Sequence, residues 1–116
     1  DVISLNAPAT AETYHLMGEQ EFKKMKRSAI LINTARGQLV DAQALAKALQ
    51  EGEIYAAGLD VYENEPKIPQ ELIGLDNVVL SPHAGTKTYA ARLDMEQEVA
   101  KNIINFFEGG DIDKVN

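Results

Sequence analysis

Arg36, Asp60, Glu65 and His83 are the side chains of this sequence best suited to act together on a small anion. The guanidinium of Arg36 offers a rigid fork of donors that can hold a carboxylate or polarise a ketone, with more directionality than an ammonium. An imidazole is the side chain whose unperturbed pKa lies near physiological pH, so His83 can give a proton in one direction of a reaction and take it back in the other. Glu65 can accept a hydrogen bond from that imidazole, which fixes its tautomer and favours its protonated form. Hydride transfer to a 2-keto acid suits such a set, because the substrate presents a carboxylate beside a ketone oxygen that must gain a proton. Asp60 has two readings of equal weight from its position: it accepts from a cofactor carboxamide or ribose, or it caps the loop that follows. His15, near Glu12 and Glu19, reads as a surface histidine without a function.

These residues need a scaffold that brings them to one edge. Residues 1–6, 29–33, 55–61 and 77–81 are strand-like apolar runs, and the continuous run Ala29-Ile30-Leu31-Ile32-Asn33 is of the kind expected for a strand buried on both faces. Between the first two runs, Thr10 to Thr13 offers helix-start chemistry, and a second short helix is expected from Gly18 to about Arg27, acids first and bases last. Asp41 is placed to cap a helix whose apolar face is Leu45, Ala48 and Leu49, with Gly52 at the left-handed end. Gln70 to Ile73 fits one helical turn. A long amphipathic helix is expected over residues 86–109, ended by Gly109-Gly110.

Strand, crossover and strand in alternation predict an α/β fold with a parallel sheet of about four strands. In such a sheet all strand C-termini share one edge, and ligands bind in the crevice outside it. Arg36 follows the second strand, Asp60 and Glu65 the third, and Pro82-His83 the fourth. The chemistry-bearing residues therefore converge by topology.

Composition narrows the partners. The 116 residues carry a net charge of −7, which disfavours a nucleic-acid polyanion, and Lys23, Lys24, Lys26 and Arg27 read as a solvated helix end. No apolar run approaches the length of a membrane span, so neither nucleic acid nor membrane is expected as a partner. Cysteine is absent, which excludes disulfides, thiolate metal sites and a cysteine nucleophile and fits a cytoplasmic protein. Two histidines are too few for a histidine-rich metal site, and no metal is expected.

Four ordered motifs resemble the D-isomer-specific 2-hydroxyacid dehydrogenases: Leu5-Asn6-Ala7-Pro8 with Thr13, Ile32-Asn33-Thr34-Ala35-Arg36-Gly37-Gln38-Leu39-Val40-Asp41, Gly58-Leu59-Asp60-Val61-Tyr62-Glu63-Asn64-Glu65-Pro66, and Asn77-Val78-Val79-Leu80-Ser81-Pro82-His83. The resemblance runs from Val2 to about Gly110. It implies that Arg36 is the substrate-binding arginine, Glu65 the glutamate paired with the histidine, and His83 the acid/base. It also implies a cofactor-binding set in which the Ala7-Pro8 and Thr34-Ala35 backbones line the cofactor with Thr13, Arg36 and His83, Asp60 faces the nicotinamide, and Gly85 lies close to the carboxamide. The formate dehydrogenase branch of the family looks similar but has glutamine where this chain has Glu65, so Glu65 favours 2-hydroxyacid chemistry. From Glu63 to Asn116 the sequence is most similar to glyoxylate and hydroxypyruvate reductases.

The resemblance also implies an omission. Family members carry a Gly-x-Gly-x-x-Gly turn that holds pyrophosphate, and this chain has no Gly-x-Gly anywhere. With an apolar run that starts at Asp1-Val2 without an initiator methionine, the chain reads as a partial NAD-binding domain, the last four strands of a doubly wound (Rossmann) sheet. Residues 110–116 read as a tail leading toward an absent substrate domain. NAD is the expected cofactor, and the residue that separates NAD from NADP falls in the absent half. The chain alone is expected to bind NAD weakly or not at all and to be inactive, while the intact parent interconverts a small 2-hydroxy acid and 2-keto acid. Exposed sheet edges predict a homo-oligomer. A second reading, from another class, is an NAD-sensing corepressor-like protein of the same family that keeps the catalytic residues without turnover.

Overall fold

The apolar runs pair into one parallel sheet in the computed structural model, which describes residues 1–112. Its strands are β1 (Val2–Leu5), β2 (Ile30–Asn33), β3 (Ala56–Leu59) and β4 (Val78–Leu80), in that spatial order. Leu5 pairs with Asn33, Asn33 with Leu59, and Leu59 with Leu80, so all four strands end on one row. The expected convergence of strand ends thus holds at the level of single residues.

Parallel neighbours require crossovers. The first contains α1 (Glu19–Lys24) and the second α2 (Ala42–Gln50). The third carries a single 3-10 turn at Gln70–Leu72, and another such turn, Gly37–Leu39, follows the end of β2. Asp41 caps α2, its Oδ1 accepting the N–H groups of Gln43 and Ala44 at 3.0 and 3.1 Å. Gly52, two residues past the helix end, has φ 67°, the left-handed region glycine enters at little cost.

Thr10 to Thr13 does not start a helix. The Thr13 hydroxyl donates to the Pro8 carbonyl at 2.7 Å and accepts the Thr10 N–H at 2.8 Å, which closes a turn instead. Threonine side chains compete in this way with the helical bonds they would otherwise precede.

The sheet is buried on one face only, which corrects the expectation for β2. Leu31, Asn33, Ala57 and Leu59 are buried, while Ile30, Ile32, Ala56 and Gly58 on the opposite face are half-exposed. The cause is topological. The strands step in one direction, and right-handed crossovers taken in one direction place successive helices on the same side. Phe22 of α1, Leu45 and Leu49 of α2, Ile54 and Leu72 fill that side with Leu5 and Leu31. Each fully buried side chain of this size contributes roughly 1.5–3 kcal/mol relative to exposure.

A second unit begins at Gly85. It consists mainly of α3 (Tyr89–Glu108), whose start is capped by the Thr88 hydroxyl accepting the Ala91 N–H at 3.2 Å and whose end is Gly109 at φ 73°. The helix predicted over 86–109 therefore begins three residues later than expected, at the cap. None of its side chains is buried, and Tyr89 and Phe107 are more than four-fifths exposed. Of the tail expected over 110–116, residues 113–116 lie outside the described residues. Among the described residues no helix is long and apolar enough to cross a membrane.

Candidate active site

The site is assembled from the residues just beyond the aligned strand ends. Asn33, the last residue of β2, is 1 % exposed, yet its amide is fully engaged. Its Oδ1 accepts the Ala35 N–H at 3.1 Å and its Nδ2 donates to the Arg36 carbonyl at 2.9 Å. One buried side chain therefore shapes the turn that presents Thr34, Ala35 and Arg36. Arg36 itself is exposed, with Nη1 donating to the Ala35 carbonyl at 2.7 Å.

Gly37 follows, and its bare Cα is packed against the chain after β3. A Cβ there would stand 1.9 Å from the Tyr62 carbonyl carbon and 2.3 Å from the Glu63 nitrogen, closer than atoms can approach. The turn bearing Arg36 and the loop bearing Glu65 are thus in direct backbone contact.

On that loop, Tyr62 is the organiser. Its N–H donates to Glu65 Oε1 at 3.0 Å, and its hydroxyl donates to the Ser81 carbonyl at 2.8 Å. Burial raises its phenol above the ordinary value of 10.0, so the group stays a donor. The Glu65-Pro66 peptide is cis.

Glu65 and His83 meet directly, with Oε2 and Nδ1 2.7 Å apart. The hydrogen bond from His83 first, and that from the Tyr62 N–H second, hold the Glu65 carboxyl below its ordinary 4.5. Glu65 is therefore an anion at neutral pH. With Nδ1 engaged, Nε2 is the nitrogen of His83 that can serve a substrate. His83 has φ 50°, a left-handed conformation uncommon outside glycine and a form of strain that collects at functional sites. A small hollow of about 140 Å³ is lined by Tyr62, Glu65, Pro66, Ile68, Pro82 and His83.

Asp60 is 8 % exposed and its Oδ1 accepts both the Ser81 hydroxyl at 2.5 Å and the Ala84 N–H at 2.8 Å. Both partners lie beyond the end of β4 rather than in the loop that follows Asp60. Thr13 likewise spends its hydroxyl on Pro8 and Thr10, and so shapes the Ala7-Pro8 turn beyond β1. Gly85 opens the second unit.

Sequence reasoning missed the surroundings of His15. Its ring stacks on Tyr14 with centroids 3.9 Å apart, Nε2 lies 3.4 Å from Glu63 Oε2, and Nδ1 lies 3.8 Å from Asp41 Oδ2. His15, Asp41 and Glu63 line a larger hollow of about 510 Å³ with Lys67, Ile68 and Glu71, and neither Arg36 nor His83 lines it. The His83–Glu65 pair lies at the smaller hollow. Asn33 and Tyr62 also went unremarked as positioning groups; the available signals were an amide ending an apolar run and a tyrosine between two acids.

The arrangement can hold an anion with a guanidinium at one strand end and move a proton with a carboxylate-oriented imidazole two strands away. Among the described residues no cluster of three or more metal-ligating side chains occurs.

Residues 1–85 match the family described as "D-isomer specific 2-hydroxyacid dehydrogenase, NAD binding domain". The chain is 58% identical over 109 residues to a glyoxylate reductase of Thermococcus litoralis, covering 94% of this chain and 33% of that protein. Its structure resembles a glyoxylate reductase from Paecilomyes thermophila, with TM-score 0.91 and 43% identity over 98% of this chain and 35% of the other. It also resembles an NADPH-dependent glyoxylate/hydroxypyruvate reductase from Sinorhizobium meliloti in complex with NADP and malonate, with TM-score 0.91 and 37% identity over 97% and 35% of the two chains. The chain spans about a third of the length of the curated relatives it matches.

Proposed function

The chain belongs to the D-isomer-specific 2-hydroxyacid dehydrogenase family, in the part described as its NAD-binding domain, and from that premise we propose that the protein carrying it reduces small 2-keto acids to D-2-hydroxy acids with NADH or NADPH. The observation that carries the reading is the 2.7 Å contact between His83 Nδ1 and Glu65 Oε2 at the ligand-binding edge of a parallel sheet.

The nicotinamide end of the cofactor fits the residues present. The turns at Ala7-Pro8 and Thr34-Ala35 lie beyond neighbouring strand ends on the edge that also carries His83, so their backbones would flank the ring, with Thr13 supporting the first turn. Gly85 would border the carboxamide. Asp60 would act there chiefly by holding Ser81 and Ala84. The pyrophosphate end has no counterpart in this chain, which contains no Gly-x-Gly. A reduced nicotinamide bound at that edge would supply the hydride for the ketone carbon.

Arg36 binds the substrate carboxylate or ketone through its fork of donors. His83 delivers a proton from Nε2 to the ketone oxygen, and Glu65 stabilises the imidazolium that this requires. In the reverse direction His83 takes the hydroxyl proton. Glyoxylate and hydroxypyruvate are the proposed substrates, supported by the relatives named for them. A cytoplasmic homo-oligomer is the proposed state of the enzyme, motivated by the cysteine-free sequence and by the apolar residues Val2 and Val79, well exposed on the sheet's outer strands.

The test is oxidation of NADH and NADPH by the intact protein against glyoxylate, hydroxypyruvate, pyruvate and phosphohydroxypyruvate. Turnover with the first two that is lost in His83→Ala supports the assignment; NADH binding without turnover on any of the four would contradict it. The 116-residue chain by itself is expected to bind NADH weakly and to turn over negligibly, and a micromolar dissociation constant would refute that.

A further inference from the structure

We propose that His15 is a positioning residue for the Glu65–His83 pair, coupling the turn that carries Arg36 to the loop that carries Glu65 by way of Glu63. Its role in catalysis rests on the proposed dehydrogenase reading; its role in geometry does not.

The backbone of His15 belongs to the Arg36 side. Its N–H donates to the Gln38 carbonyl at 2.8 Å, Met17 N–H donates to the Leu39 carbonyl at 2.9 Å, and Asp41 N–H donates to the Met17 carbonyl at 3.0 Å. Residues 15–17 are therefore laid along residues 38–41, directly after Arg36 and Gly37. His15 adopts φ 49° in doing so, a left-handed conformation that costs a non-glycine residue energy and persists only where surrounding contacts impose it.

The side chain belongs to the Glu65 side. Glu63 has both carboxylate oxygens engaged: Oε1 accepts the Tyr14 hydroxyl at 2.7 Å, and Oε2 lies 3.4 Å from His15 Nε2. Tyr14 and His15 are stacked at 17°, so the two groups present their polar ends to Glu63 as one plate. Hydrogen bonding to Glu63, the larger cause, and partial burial raise the Tyr14 phenol above 10.0, keeping it a donor to that carboxylate. Glu63 stands two residues before Glu65, and the turn that contains Glu65 is closed by the Lys67 N–H donating to the Asn64 carbonyl at 3.0 Å.

Gly37 supplies a second contact. The Tyr62–Glu63 peptide rests against its Cα with no room for a methyl group. That peptide is thus packed against the Gly37 backbone, while the Glu63 side chain that extends from it is held by the ring pair. Tyr62, at its start, gives its N–H to Glu65 Oε1. Displacing Glu63 therefore displaces the donor that orients the catalytic glutamate.

The experiment is an NMR titration of the Glu65 carboxyl in this 116-residue chain, comparing wild type with His15→Asn, Glu63→Ala and Tyr14→Phe. Asparagine tolerates the left-handed backbone but is too short to reach Glu63. In the wild type Glu65 titrates below 4.5. It is expected to move up toward that value in His15→Asn and Glu63→Ala, and by less in Tyr14→Phe. A core variant away from the loop, Ile54→Val, is expected to lower the melting temperature without moving the titration. A Glu65 titration unmoved in all three clamp variants would overturn the proposal whatever their melting temperatures. Tyr14 is exposed, so its variant carries the test alone if the other two do not fold. In the intact enzyme the same variants are expected to lower kcat about tenfold or more with little change in KM. A displaced titration with unchanged kcat would refute the catalytic role of the pair and leave the clamp standing.

Discussion

Asp60 Oδ1 accepts the backbone N–H of Ala84 at 2.8 Å, so a carboxylate at the end of one strand fixes the residue that follows His83 at the end of the next. The same oxygen accepts the Ser81 hydroxyl, and His83 lies between the two partners in sequence. Asp60→Ala leaves a part-buried N–H and a hydroxyl without this acceptor. It is expected to destabilise the chain by about 1–3 kcal/mol in urea denaturation. A change within error would mean that the Pro82-His83 turn is held by something else.

Gly37→Ala places a methyl group inside the Tyr62–Glu63 peptide, with atoms as close as 1.9 Å. Backbone cannot rotate away as a side chain can, so the loop bearing Glu65 must lift from the turn bearing Arg36. The expected cost is about 3 kcal/mol or more in equilibrium unfolding. Gly52→Ala is the contrast: nothing lies within 4 Å, and only the positive φ opposes it, for about 1 kcal/mol. Equal losses in the two variants would show that conformation rather than contact governs Gly37.

What was legible in the sequence divides along the range of the interactions. Asp41 as a helix cap and Gly52 as a helix end depend on bonds within three or four residues, and both are realised. The convergence of Arg36, Glu65 and His83 on one edge followed from alternation alone, because a parallel sheet offers no other arrangement. The bare face of β2 was not legible, since an apolar run does not say on which side its crossover helices lie. Nor was the Thr10 to Thr13 turn, where a hydroxyl took the bond that a helix would have needed. The His15 cluster was hidden for another reason: its partners Asp41 and Glu63 are remote in sequence and come close only after the sheet has formed.

Glu19 supplies a prediction on acid stability. Hydrogen bonds from Lys23 and then Lys47, at 2.7 and 3.1 Å, lower its pKa from 4.5 to about 2. A carboxylate whose folded pKa lies below its unfolded value contributes stability that is fully present above 4.5 and is lost as pH falls toward 2. The Lys47 bond joins the first crossover helix to the second. Lys47→Met is therefore expected to reduce stability at pH 6 slightly and to flatten its decline between pH 4.5 and 2, measured by urea midpoints across that range. A decline as steep as in wild type would show that other carboxylates dominate acid unfolding.

The Glu65–His83 pair yields the prediction closest to the chemistry. The Glu65 carboxyl is held below 4.5 by His83 first and the Tyr62 N–H second, so the sign of linkage is the same as for Glu19. The pair is complete above pH 4.5 and separates only as pH falls through the lowered value. The 15N shift of His83 Nδ1 is expected to report a bonded nitrogen down to that pH and to change with the Glu65 carboxyl signal below it. Glu65→Gln keeps the shape of the side chain and removes the charge that stabilises an imidazolium. In the intact enzyme it is expected to lower kcat for keto-acid reduction about tenfold to a hundredfold, whereas Arg36→Lys, which keeps the charge but loses the fork, should act mainly on KM. If Glu65→Gln changed only KM, the role given to Glu65 would be refuted, and a loss of kcat alone in Arg36→Lys would assign the arginine to the reacting ketone rather than to the substrate carboxylate.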